Sequence, residues 1–304
     1  MSSSSPEPRT HEPVLLNEVL ALLKPAPGQV VIDATLGSGG HAMALLKQIG
    51  PKGRLVGLDQ DPEALERAQK TLRPYLNADY FQTHFSQIPE VLEHLNLNVV
   101  DAVLLDVGLS TDQLEAAERG FSFLKEGPLD MRMNPENPVT ARDLINDLSE
   151  KELETLFWEY GEERWSRRIA RAIVRERQKQ AVETTGALVK IIEKAIPTPA
   201  RFGPRHPALR IFQALRIRVN GELDALEETL PKAFDALKAG GRLAVISFHS
   251  LEDRIVKQTF RRWAEEKKAK ILTPKPVQAS PEEIQKNPRS RSAKLRAVER
   301  TEVS

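Results

Sequence analysis

A glycine-rich bend with acids spaced around it is the part of this chain best suited to chemistry. Gly37-Ser38-Gly39-Gly40-His41-Ala42 follows the apolar stretch Val30-Val31-Ile32 and opens a helical pattern. Glycines in that place allow a tight turn and a close approach of ligand to backbone, and the helix start beyond them offers free N–H donors. Asp59 closes the next apolar run about 20 residues past the bend, the spacing at which an acid commonly accepts hydrogen bonds from ribose hydroxyls. Asp33 stands just before the glycines, and Asp106 ends a third apolar run ahead of Val107-Gly108-Leu109-Ser110.

Three readings fit the bend alone. It could hold the methyl donor S-adenosylmethionine. It could hold a nicotinamide dinucleotide, because the hexapeptide also meets the loose dinucleotide pattern with Ala42 in the last place. Or it could simply turn the chain. Asp33 tilts the choice toward the first, since a carboxylate there repels a pyrophosphate but tolerates a sulfonium and the ammonium of a methionine. Asp33 alone could be an acid that bonds its own loop, and one strand-end acid is often only a turn former. Three of them at the carboxyl ends of neighbouring strands, where open α/β sheets bind ligands, are harder to explain by folding alone.

The elements that must position these residues read as alternating strands and helices. Val30–Thr35, Arg54–Asp59, Val99–Asp106 and Arg242–Phe248 are nearly continuous apolar runs, the pattern of parallel strands covered on both faces, and Tyr80–Phe85 is a shorter strand. Asp61-Pro62-Glu63 starts a helix with an acid at the N-cap and proline in the first turn. Leu223, Leu226, Leu230, Phe234 and Leu237 step by three or four along an amphipathic helix leading into the strand at Arg242. This alternation predicts an α/β, doubly wound fold with a mostly parallel sheet.

Roughly 130 residues separate the third and fourth of the long strands, far more than a crossover needs, so an inserted helical unit is expected there. Ser149-Glu150-Lys151-Glu152 is a capping box inside that stretch. The expected layout is a disordered start over 1–10, a core from 11–112 and 206–304, and a helical insert over 113–205. The tail from Lys270 is expected to add a final β-hairpin.

Composition excludes several classes. The 304 residues are 40% hydrophobic and 29% charged with a net charge of +1, enough apolar material for a core but no overall polycation. The chain has no cysteine, which removes disulfides, zinc–thiolate sites and a cysteine nucleophile. The six histidines lack ligand spacing, so no metal site is expected. The Ser- and Pro-rich first ten residues do not resemble a signal peptide, and no run of about 18 apolar residues is present. A cytoplasmic protein without a membrane partner is the expectation.

With those residues in view, the chain resembles the bacterial small-subunit ribosomal RNA cytosine-N4 methyltransferases, the MraW or RsmH family. The similarity runs from about His11 to Arg300 through many long motifs in the same order. Among them are His11–Leu16, Gly37–His41, Leu104–Asp106 with Gly108, Glu118–Phe123 and Gly127–Met133. Tyr160–Arg164, Phe212–Ile217, Val245–Arg254, Asn287-Pro288-Arg289 and Arg291–Arg296 continue the series. The resemblance implies a Rossmann-like class I methyltransferase core with an inserted helical domain. It implies S-adenosylmethionine as cofactor, held by Gly39, Gly40, His41, Asp59, Phe85, Asp106 and Gln113, with Phe85 beside the adenine. It also implies methylation of the exocyclic N4 amine of a cytidine in small-subunit ribosomal RNA, free or in the assembled small subunit, with no DNA partner. Two stretches depart from the family pattern: Thr111-Asp112 replaces the usual Ser-Pro, and Leu209 replaces a common Thr. An RNA-binding assembly factor with little turnover is the reading of a different class.

The cytosine amine is a weak nucleophile because its lone pair is delocalised into the ring. An acceptor on the amine would localise that pair and stabilise the developing charge. Asp106 is the candidate orienting acceptor, or else it is committed to the cofactor. His249, in Ser247-Phe248-His249-Ser250, has a pKa range suited to a later proton transfer, or else it orders its loop; the base stays unassigned. Within the insert, Arg164, Arg168, Arg171 and Arg175 fall on one helical stripe with Arg167 alongside, as phosphate contacts would. A solvated helix face is the plainer reading, given Glu162, Glu163 and Glu176 nearby. Arg201, Arg205, Arg210, Arg216 and Arg218 form a second basic run, and Arg289 to Arg296 a third.

Overall fold

The computed structural model describes residues 13–201 and 206–302. The expected disordered start over 1–10, the His11-Glu12 pair and Arg205 lie outside the described residues. The chain begins α1 (Leu16–Leu23), β1 (Val30–Asp33), α2 (Gly40–Ile49), β2 (Arg54–Asp59), α3 (Pro62–Thr71), β3 (Ala78–Gln82), α4 (Ile88–His94) and β4 (Val100–Asp106). Helices α5 (Thr111–Glu115), α6 (Ala141–Asp147), α7 (Glu150–Glu159), α8 (Ser166–Arg177), α9 (Thr185–Ala195), α10 (Thr198–Arg201) and α11 (Leu209–Asn220) follow. The chain then forms α12 (Glu222–Asp235), β5 (Leu237–Ser247), α13 (Ser250–Glu265), β6 (Ala269–Ile271), α14 (Pro281–Lys286) and β7 (Lys294–Arg300).

The seven strands make one sheet in the order β3-β2-β1-β4-β5-β7-β6. The first five run parallel, while β7 pairs antiparallel with both β5 and β6. Successive side chains of the central strands bury on opposite faces. Ile32, Val56, Val103 and Val245 meet α4, α12 and α13, while Val31, Leu55, Leu104 and Ala244 meet α1, α2 and α3. Burial on both faces is why these strands read as unbroken apolar runs. Because the parallel strands point the same way, their carboxyl ends share one rim, and the order reverses between β1 and β4. That is where open α/β sheets place ligands. The fold is α/β with the strand arrangement of class I methyltransferases.

The hairpin expected in the tail forms from β6 and β7, but residues 272–293 separate its strands and carry α14. Val277 pairs with Leu295, which ties this excursion back to the start of β7. Lys294, at that start, pairs with Ser247 at the end of β5, so the excursion returns at the strand-end rim.

The chain divides into two units: one runs to Gly108 and resumes at Leu226, and the other is Leu109–Ala225. The second unit is wider than the 113–205 expected of the insert. Its core explains the width: Ile211, Phe212, Ala214 and Leu215 of α11 bury with Leu153, Phe157, Ile169, Leu188 and Ile192. The Asn220 side chain fastens the end of α11, accepting from the Met133 N–H and donating to the Met131 carbonyl, each at 2.8 Å. The Ser149 capping box is formed. No helix among the described residues is long and apolar enough to cross a membrane.

Candidate active site

The glycine bend turns the chain from β1 into α2. Gly37 (φ 53°) and Gly39 (φ 84°) hold left-handed conformations that other residues adopt only with strain. No side chain caps the first turn of α2 and it carries no acid, so its N-terminal N–H groups are left to other partners. A Cβ on Gly40 would come within 2.7 Å of the Pro13 ring, so the entry to α1 packs directly against the bend.

Asp59 holds the bend in place. One of its oxygens accepts from the Gly37 N–H at 2.8 Å, the other from the Asp61 N–H at 2.9 Å. Burial nevertheless raises its pKa to about 6 against those two bonds. Asp33 is 1% exposed and accepts only a long bond from the Thr35 N–H, 3.3 Å, through one oxygen. Its pKa is also raised to about 6, by burial first, with His41 opposing. Asp106 donates its backbone N–H to Thr35 Oγ1 at 2.6 Å. Burial pushes its carboxyl up to about 7, against the pull of Arg289. Asp33 pairs with Gly57 and with Leu104, so Asp59 and Asp106 stand two residues further along the flanking strands. The three acids therefore share one rim and feel one another.

His41, on the first turn of α2, is 7% exposed. Its Nε2 lies 2.9 Å from the Val14 carbonyl, which can only accept, so the ring proton sits on Nε2. Burial lowers the His41 pKa, leaving the ring neutral with a lone pair on Nδ1. That lone pair faces Asp106 Oδ2 at 3.7 Å. Among the described residues, Asp33 Oδ2 and Asp106 Oδ1 are buried without a hydrogen-bond partner. Buried acceptors left unpaired are costly, and a donor-only cation at this rim would suit these two oxygens together with the His41 Nδ1 lone pair.

The other sequence candidates are placed differently. Phe85 opens a short 3-10 turn after β3, half-buried against one face of the sheet, with its ring 4.0 Å from that of His84. Gln113 belongs to the second unit, where it completes the cap of α5. Its Oε1 accepts from the Ser110 N–H at 3.0 Å, and its own N–H donates to Ser110 Oγ at 3.1 Å. His249 is the N-cap of α13, with Nδ1 accepting from the Glu252 N–H at 3.4 Å and Nε2 3.0 Å from Glu252 Oε1. Glu252 in turn accepts from the Phe248 N–H at 2.7 Å. His249 therefore orders its loop.

In the second unit Arg164, Arg168, Arg171 and Arg175 are all exposed. The guanidinium groups of Arg164 and Arg168 lie over the Trp165 ring, at 5.1 and 5.6 Å from its centroid. Arg171 pairs with Glu150, and Arg175 with Glu176. Much of the other two basic runs is structural. Arg201 and Arg210 cap carbonyls of their own unit, Arg216 grips Glu222 with two bonds of 2.7 Å, and Arg296 is buried against Asp253. The sequence reading missed that Arg289 acts on Asp106 and that Val14 orients His41. Nothing local marks either pairing.

A family model described as the MraW methylase family matches residues 8–301. The chain belongs to this family. Ribosomal RNA small subunit methyltransferase H of Heliobacterium modesticaldum is 50% identical over 95% of this chain and 98% of its own length. The protein of the same name from Geobacter sulfurreducens is 50% identical over 96% of this chain and 99% of its own. Among solved structures, an rRNA methylase from Streptococcus thermophilus is similar with a TM-score of 0.45 at 11% identity, covering 98% of this chain and all of that one. Membership of the MraW methylase family makes the chain a methyltransferase and decides against the nicotinamide reading of its glycine bend.

Proposed function

We propose that this chain transfers a methyl group from S-adenosylmethionine to the N4 amine of a cytidine in small-subunit ribosomal RNA. The observation that carries the cofactor half is the pair of buried, unpartnered acceptors Asp33 Oδ2 and Asp106 Oδ1, with His41 Nδ1 facing Asp106, at the rim beside an uncapped helix start. An ammonium brings three donors and a positive charge, and so matches that set. The methionine carboxylate would suit the Gly40 N–H at the start of α2, while the Gly39 N–H is given to the Leu36 carbonyl and shapes the bend. Asp59 would take the ribose hydroxyls with the lone pairs its two backbone bonds leave free, and Phe85 would pack beside the adenine.

When bound, the cofactor supplies an electrophilic methyl on a sulfonium. The methyl would pass from that sulphur to N4, leaving S-adenosylhomocysteine, and the amine proton would be lost to solvent water. Asp106, through Oδ2 while Oδ1 takes the ammonium, is proposed to accept a hydrogen bond from the amine, which would localise the nitrogen pair and stabilise the charge it gains. The target base must leave its stack to bring its amine to the rim. Arg164 and the exposed arginines of α8 are proposed to meet RNA phosphates, with Arg164 and Arg168 lying over the Trp165 ring. The names of the relatives support small-subunit RNA as substrate, and the setting that goes with it is cytoplasmic.

The test uses small subunits and their naked RNA from cells lacking the protein, incubated with methyl-labelled cofactor and the purified chain. Digestion and mass analysis should find N4-methylcytidine in one fragment. Label on another base, or none on either substrate, overturns the proposal.

A further inference from the structure

We infer that Glu283, on the excursion between β6 and β7, is a positioning residue for the rim, acting through Leu15 and Val14 on His41. The inference rests on the proposed role of His41 in holding the cofactor.

The chain of contacts runs through four residues. Glu283 Oε1 accepts from the Leu15 N–H at 2.8 Å, 268 residues away in sequence. Leu15 caps α1 with no side-chain bond of its own and sits at φ 54°, ψ 34°. A leucine in that left-handed region is strained, and it is held there by burial to 0% exposure and by the Glu283 carboxylate. The left-handed turn aims the preceding carbonyl, Val14 O, at His41 Nε2, 2.9 Å away. That bond keeps the proton on Nε2 and leaves Nδ1 as an acceptor facing Asp106. The Glu283 charge also acts directly on His41, favouring its charged form. A ring carrying its proton on Nδ1 instead would present a donor to the rim and repel an ammonium. A carboxylate near the far end of the chain therefore sets which face of a histidine near the start is open to ligand.

The experiment compares wild type, Glu283→Ala and Glu283→Gln. The readouts are the His41 tautomer from ring-nitrogen NMR shifts of the ligand-free chain and the affinity for S-adenosylhomocysteine by calorimetry. Wild-type His41 should be neutral with its proton on Nε2. Glu283→Ala should give a mixture of tautomers and an affinity about tenfold weaker, the size of one lost hydrogen bond to a charged group. Glu283→Gln keeps an oxygen that can accept the Leu15 N–H, so it should restore both tautomer and affinity to near wild type. A wild-type His41 protonated on Nδ1 overturns the inference even if the alanine variant fails to fold. So does an alanine variant with wild-type tautomer and affinity. Wild type that fails to bind S-adenosylhomocysteine while showing the expected tautomer instead overturns the cofactor reading of the rim.

Discussion

His41 Nδ1 and Asp106 Oδ2 face each other at 3.7 Å across the rim, one a lone pair and the other a carboxylate oxygen. Two acceptors set this close without a donor between them are poorly matched. In the ligand-free chain the mismatch is eased because burial raises the Asp106 pKa to about 7, so part of the population carries a proton there. A bound cation would remove the need for that proton.

Asp106→Asn tests the acid directly. The amide keeps the shape but loses the charge and presents N–H groups toward His41 or the amine. Turnover should fall by about a hundredfold, the range seen when a positioned electrostatic partner is removed. Affinity for S-adenosylhomocysteine should fall as well, measured by calorimetry. A variant with wild-type affinity and turnover would mean that Asp106 neither holds the cofactor nor orients the amine.

The raised acids predict a pH signature with a definite sign. Asp33 and Asp59 at about 6 and Asp106 at about 7 bind protons more tightly in the folded chain than at their ordinary value of 3.8. Their contribution to stability is therefore fully present below the ordinary carboxylate range and is lost as pH rises through about 6 to 7. The ligand-free chain should melt higher at pH near 6 than at pH near 8. Buried neutral His41, whose pKa is lowered, opposes this below its ordinary range. Ligand binding should run the other way, with S-adenosylhomocysteine bound more weakly at pH near 6 than near 8 because the acids must ionise to receive its ammonium. An affinity flat across that interval would show that these acids do not meet the ligand.

His249 should matter to the helix rather than to the reaction. Its ring caps α13, so His249→Ala should cost about 1 kcal/mol in denaturant unfolding, the usual loss for an N-cap. Asparagine is a good N-cap, so His249→Asn should recover most of that stability and keep turnover within a few-fold of wild type. Loss of turnover in a fully stable His249→Asn chain would return the ring to the chemistry.

Arg168 and Arg171 are exposed, and the Arg171 pair with Glu150 is a surface pair at 3.4 Å. Replacing both with alanine should change stability by no more than about 0.5 kcal/mol. RNA binding should weaken, and the slope of its affinity against salt should flatten by roughly one to two, as expected for two lost phosphate contacts. An unchanged slope would remove α8 from the RNA surface.

The strands, the glycine bend and the acids at the strand ends were legible in sequence because each is a local pattern. A strand buried on both faces must be apolar throughout, a left-handed turn selects glycine, and Asp61 and Ser149 cap helices through bonds spanning two or three residues. Neither the edge of the insert nor the work of individual side chains could be read that way. Helix α11 has a helical period wherever it packs, and only the buried contacts of Ile211, Phe212 and Leu215 assign it to the second unit. Arginines look alike in sequence, yet Arg296 is locked to Asp253, Arg216 to Glu222, and Arg168 lies open over Trp165. The tautomer of His41 depends on Val14, and the turn at Leu15 on Glu283, a partner more than two hundred residues away. Periodicity and caps act over one or two turns of chain, so sequence alone determined the elements and the acids they carry. Hydrogen bonds between distant segments exist only once the chain has closed on itself, so tertiary structure decided which atom of each side chain faces the rim.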